Sequence, residues 1–123
     1  MGNAIVKFTD LAAWSEGHKL VIMVYEATGQ FPKSEIFGLV NQMRRCAVSI
    51  TSNIAEGFSR NTPKDKNHFY YMALGSATEL QNQLLISRDL KYITDSEFQK
   101  IANQSVTVHK LVNGLIKSNK NKY

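Results

Sequence analysis

Apolar residues recur along this chain in four blocks at helical spacing, and no stretch alternates as a half-buried strand would. In the first block Leu11, Trp14, His18, Val21, Tyr25 and Thr28 fall 3, 4, 3, 4 and 3 residues apart, which predicts a helix over about 11–28. Asp10 is its expected N-cap, and Gly29 and Pro32 mark its stop. The second block, 35–57, carries Ile36, Val40, Met43, Ala47, Ile50 and Ile54 on one side, with Ser34 as cap and Glu35 at the positive end of the dipole. A rod of that length, roughly 35 Å, cannot bury its apolar side alone. Thr62, Pro63 and Asp65 open a third helix over about 63–90, whose seam is Phe69 with Tyr70, Ala73, Ser76 with Ala77, Leu80, Leu84 and Ser87. Thr94 and Glu97 form a capping box for a fourth, about 95–117, with Phe98, Ile101, Ser105, Val108, Val112 and Leu115 as its seam.

Short polar connections join these blocks, so neighbours should return antiparallel. The expected architecture is all-α, an antiparallel up-down-up-down four-helix bundle forming one domain over 1–123, with a flexible N-terminal arm and C-terminal tail. Leu20, Ile22, Met23, Leu39, Val48, Met72, Leu74, Leu85 and Ile86 lie off the seams. That surplus predicts a second buried surface and hence self-association.

A hydrophobic content of 43% and a charged content of 20% suit a globular protein. No apolar run approaches a membrane span, and the first residues lack the pattern of a secretory signal. Cys46 is the only cysteine, so no internal disulfide can form, and a reducing cytoplasm is the expected location.

The net charge of +5 is unevenly placed. Residues 1–58 and 68–93 are each balanced, whereas Arg60, Lys64 and Lys66 face only Asp65, and Lys100, Lys110, Lys117, Lys120 and Lys122 face only Asp95 and Glu97. In an antiparallel bundle these two segments converge. The expected candidate site is therefore a basic end built from Arg60, Lys64, Lys66, Lys117, Lys120 and Lys122, suited to phosphate backbones, with Tyr70, Tyr71 and Tyr123 near enough to stack on bases. The plainer alternative is a solvated lysine-rich surface.

Catalytic patterns are missing. A di-metal bundle needs paired Glu-x-x-His motifs, and only Asp65 and His68 approach that spacing, once. No Ser–His–Asp set or glycine-rich phosphate loop stands out, so no enzyme, no metal and no cofactor are expected. His18 reads as a core or interface residue, and His109 as exposed. Helix 2 also carries a polar line, Gln42, Arg45, Ser49, Ser52 and Glu56, in which poor helix formers replace the usual Lys and Glu. A buried network or subunit contact, a solvated face and a ligand site all remain open for it; a pairing of Arg44 or Arg45 with Glu79 would fit the first.

Trp14, Phe31-Pro32, Glu35, Gly38-Leu39, Gln42, Arg44-Arg45, Ser49-Ile50, the run SNIAEG at 52–57, Arg60, Phe69, Gly75-Ser76 and Glu79-Leu80 resemble the 23S rRNA intervening-sequence protein family, small bacterial four-helix bundles. The likeness spans 11–115, and SNIAEG-x-x-R is its most specific run. Cys46 stands where the family usually has alanine. The resemblance implies a homopentamer with a central channel, and a relationship to retroelement accessory proteins that bind reverse transcriptase and nucleic acid. It assigns Arg44, Arg45, Ser49, Asn53, Glu56, Gly57 and Glu79 to structural or interface roles. The expected function is a non-enzymatic oligomeric bundle that engages RNA, DNA or a nucleoprotein through its basic end; the alternative is a protein-interaction scaffold that binds no nucleic acid.

Overall fold

The computed structural model describes residues 4–122. Four helices, α1 (Ala12–Thr28), α2 (Asn41–Ser59), α3 (Pro63–Asp89) and α4 (Asp95–Lys120), pack as an all-α bundle in which each helix lies against its neighbours in the chain and α1 closes against α4. Cross-helix contacts fix their directions. Arg44 reaches Thr28 while Gly17 sits on Thr51 and Ile54; Met43 meets Ser87 while Gly57 sits on Tyr70. The side-chain amides of Asn67 and Gln81 donate to the Ile116 carbonyl and the Ser105 hydroxyl. In each case the number rises on one helix as it falls on the next, so consecutive helices are antiparallel.

The core holds Leu20, Val24, Met43, Ile50, Ile54, Leu80, Leu84, Val108 and Val112, all fully buried. Each buried aliphatic side chain of this size contributes about 1.5–3 kcal/mol. On α2 the seam from Val40 to Ile54 is buried as its spacing predicts. On α1 the seam is rotated by one position. Ala13, Gly17, Leu20, Val24 and Ala27 face the core, whereas His18 and Tyr25 are exposed and Trp14 and Val21 are partly so. Both stripes have the same period; small residues at 13, 17 and 27 let α1 lie close to its neighbours, so the less bulky stripe faces inward. On α3, likewise, Tyr70 and Ala77 are buried while Phe69 and Ser76 lie at the edge.

Thr62 and Thr94 cap α3 and α4 as expected, each accepting from a backbone N–H three residues on, and Glu97 completes its box. Asp10 behaves differently: its carboxylate accepts from the N–H groups of Val6 and Lys7, which close a 3₁₀ turn at Phe8–Asp10 and hold its pKa below the usual carboxylate range. Among the described residues no side chain caps α1. Its other end is closed from across the bundle, where the Arg44 guanidinium donates to the Thr28 hydroxyl and the Tyr25 carbonyl and lies over the Tyr25 ring.

The regular part of helix 2 starts six residues later than the pattern predicts. A 3₁₀ turn at Lys33–Glu35 leads into a π turn at Ile36–Val40, broken at Gly38. Glu35, not Ser34, organises this entry: one carboxylate oxygen accepts from the Leu39 N–H, the other from the Tyr92 hydroxyl. A Cβ on Gly38 would stand 2.8 Å from one oxygen of that carboxylate, so a side chain there would have to displace the Glu35 carboxylate. Ile36 is consequently exposed, and Phe37 is 93% exposed. At the other terminus α4 continues through Lys120, so the tail expected to be flexible is helical up to that residue; Tyr123 lies outside the described residues.

Candidate nucleic-acid interface

The first turn of α3 lies against the last turns of α4. Asn67 donates to the Ile116 carbonyl, and Asn119 donates to Asn67; both asparagines are buried. This link brings Lys64 and Lys66 beside Lys117, Lys120 and Lys122, at the end where α2 finishes with Arg60. Partial burial lowers the Lys66 ammonium pKa, and the nearby Lys122 charge lowers it further.

The six cations are not equivalent. Lys66 donates to the Phe58 carbonyl, an orphan at the end of α2, and lies over the Phe58 ring. Arg60 pairs with Glu56 at 3.3 Å and covers the Phe69 ring, and Lys120 lies over the Tyr71 ring. Lys64, Lys117 and Lys122 are exposed, with no ion pair among the described residues. Tyr71, 47% exposed, can offer a face to a base. Tyr70 cannot, being 2% exposed beneath Gly57.

The polar line of α2 is partly a packing network. The Ser49 and Ser76 hydroxyls share a 2.9 Å hydrogen bond, and Asn53 donates back to the Ser49 carbonyl and hydroxyl. The Cys46 thiol donates to the Ser76 carbonyl at 3.0 Å and lies 3.7 Å from a Glu79 carboxylate oxygen. Burial, with Glu79 adding to it, pushes that thiol up to about 12, so it stays protonated. Neither Arg44 nor Arg45 pairs with Glu79; Arg44 is committed to α1, and Arg45 is exposed at the mouth of a groove between α2 and α3. Asn41, Gln42, Ser49, Ser76, Glu79 and Gln83 line the groove with Arg45; it is open to solvent, with a volume of about 360 Å³. Gln83 stands out in no sequence pattern, although it lies one turn beyond Glu79 on the same face. Its side-chain oxygen is buried with no donor among the described residues.

His18 is exposed and stacks on Trp14, and His109 is half-buried, its Nδ1 without a partner among the described residues. Among the described residues no three His, Cys, Asp or Glu side chains cluster to hold a metal, and no helix is long and apolar enough to cross a membrane.

No curated protein matches the chain. Among solved structures, a protein of unknown function from the S23 ribosomal protein family of Bacteroides thetaiotaomicron shares the fold, with 24% identity, a TM-score of 0.77, and coverage of 85% of this chain and 95% of that one. The model of the 23S rRNA-intervening sequence protein family matches residues 9–114, nearly the full length, and the SNIAEG run whose Gly57 seats α2 on α3 lies inside that span. The chain therefore belongs to the 23S rRNA-intervening sequence protein family.

Proposed function

We propose that this protein is a non-enzymatic, self-associating bundle of the cytoplasm that engages RNA or DNA through its basic end. The observation that carries the reading is the convergence of Lys64, Lys117 and Lys122, distant in sequence and exposed on one end with no carboxylate partner among the described residues. Clustered ammonium groups displace counterions from a phosphate backbone, so binding is salt-dependent and weakly sequence-specific. Self-association multiplies that charge. Support for it comes from Phe37, Ile22, Tyr25, Val48, Met72, Leu85 and Ile86, large apolar side chains left at the surface. A homopentamer, as the resemblance implies, would have a native mass of about 70 kDa from five protomers of 13.9 kDa.

Titration of a labelled single-stranded RNA at two salt concentrations tests the reading. Affinity should fall steeply with salt, and reversing Lys64, Lys117 and Lys122 to glutamate should abolish binding without changing native mass. Neutralising those three contacts should lower the log–log salt slope by about 2. Lys66 and Arg60 are spared because each also holds the end of α2. Salt-independent binding, or binding that survives the reversal, refutes the basic end and favours a scaffold for a protein partner, such as a reverse transcriptase.

A further inference from the structure

The α2–α3 side of the bundle carries two exposed lines of residues that the core does not use. On α3, Met72, Glu79 and Ile86 are all exposed and seven residues apart, so they share one side of the helix at steps of about 10 Å. On α2, Arg45, Val48 and Ser52 are exposed at steps of three and four, and the Tyr25 ring borders the same shallow groove. Each line combines apolar surface with one charge, and the two charges are opposite. Arg45 and Glu79 flank one groove, yet neither has an ion pair among the described residues. Glu79 meets only the neutral Cys46 thiol there, at 3.7 Å.

Contacts between the two helices fix the height of each residue along the bundle. Cys46 meets Ser76 and Glu79, Ser49 meets Ser76, and Gly57 sits on Tyr70. Arg45 is therefore level with Glu79, Val48 is level with the turn at Ser76, and Ser52 is level with the turn that holds Met72. A rotation about an axis along the bundle preserves every height, whatever the number of copies it relates. A second copy placed by such a rotation brings its α3 antiparallel to this α2. Its Glu79 arrives opposite Arg45 and its Met72 opposite the small Ser52, with Val48 between them and no sliding needed. The partner that suits the α2 line presents an acid level with Arg45 and an apolar side chain two turns to either side. This chain's own α3 line does so. We propose that the α2 line of one copy docks on the α3 line of another, Arg45 of each copy donating to Glu79 of its neighbour. The proposal rests on the self-association in the proposed function and names the surface at which it occurs, apart from the basic end.

Native mass followed on dilution of the full-length protein tests this contact. Arg45→Glu and Glu79→Arg each set like charges across it, and each should raise the concentration at which the assembly dissociates at least about tenfold. The double reversal should return that concentration to within about threefold of the parent. An equimolar mixture of the two single variants should form mixed assemblies at concentrations where neither variant assembles alone, because only an exchange between chains matches the charges. Val48→Asp leaves both charges and the Cys46 contact in place, and it too should weaken assembly about tenfold by setting an unpaired carboxylate in the contact. Thermal unfolding of each dilute variant checks that its chain is folded. Single variants that assemble like the parent overturn the proposal, as does a mixture or a double reversal that recovers nothing. So does a lowered melting temperature at unchanged mass, which would place the pair within one chain. A parent that stays monomeric at millimolar concentration removes the self-association itself, whereas a parent and variants that assemble alike remove only this face. The basic end is tested separately, by the salt titration, so the two readings fail apart.

Discussion

Replacing Gly57 with alanine adds one carbon where α2 leaves its last turn and crosses α3. That Cβ would stand 2.6 and 2.9 Å from two ring carbons of Tyr70 and 3.0 Å from the Lys66 carbonyl oxygen. Carbon atoms at rest sit about 3.5–4.0 Å apart, so roughly 1 Å must be found. The Tyr70 ring is 2% exposed and has no room to swing, and the carbonyl belongs to the first turn of α3, so the helices themselves must separate. A gap of about 0.5–1 Å forfeits a quarter to a half of the attraction across the contact, and insertions of this kind cost about 1–3 kcal/mol. The helical preference of alanine over glycine returns up to about 1 kcal/mol. The expected net loss is about 1–2 kcal/mol, a drop in melting temperature of about 4–8 °C for a chain of this size. Calorimetry on purified variants measures it, with Gly75→Ala as the control: a Cβ there meets nothing within 4 Å, so the same substitution should raise the melting temperature. A Gly57→Ala protein as stable as the parent would refute the close approach of α2 to α3.

Asn67→Ala should cost about 1–3 kcal/mol in urea unfolding, since it strands the Ile116 carbonyl and the Asn119 amide in a buried site. Glu35→Ala should accelerate hydrogen exchange at the Leu39 amide while leaving the centre of α2 protected, because the carboxylate is the acceptor for that N–H. Cys46, held as a thiol up to about pH 12, should react with a disulfide reagent at pH 8 far more slowly in the folded protein than in urea. The same shift makes stability decline as pH rises from about 9 towards 12, where the unfolded chain releases the thiol proton first; Cys46→Ala should flatten part of that slope in pH-dependent melts.

Much of the bundle is readable from spacing because a 3.6-residue period leaves a mark wherever a helix has one apolar side. The Thr62 and Thr94 caps are equally local, each needing only a hydroxyl and the next three residues. The rotation of α1 is not local. Two apolar stripes one position apart satisfy the same period, and the one facing inward is chosen by how closely Ala13, Gly17 and Ala27 let the neighbouring helices approach. The irregular entry to helix 2 depends on Tyr92, 57 residues away, so no window of sequence contains its cause. The cluster of lysines at one end follows from helix direction and counting, yet the structural roles of Lys66 and Arg60 follow from the Phe58 and Phe69 rings that end α2 and begin α3. The Gln83 oxygen left no pattern, since glutamine at a helix flank is ordinary until its surroundings are known.

The Asn67–Asn119 link has a mechanical side. By tying the start of one helix to the finish of the next, it presses ammonium groups together that would relax apart in a looser chain, and Lys66, partly buried and with Lys122 nearby, already yields its proton more readily. Cohesion at this extremity thus works against a repulsion that dissolved salt softens. On the proposed function, a polyanion settling there would relieve the crowding as it binds, and the bundle would be harder to unfold with it than without.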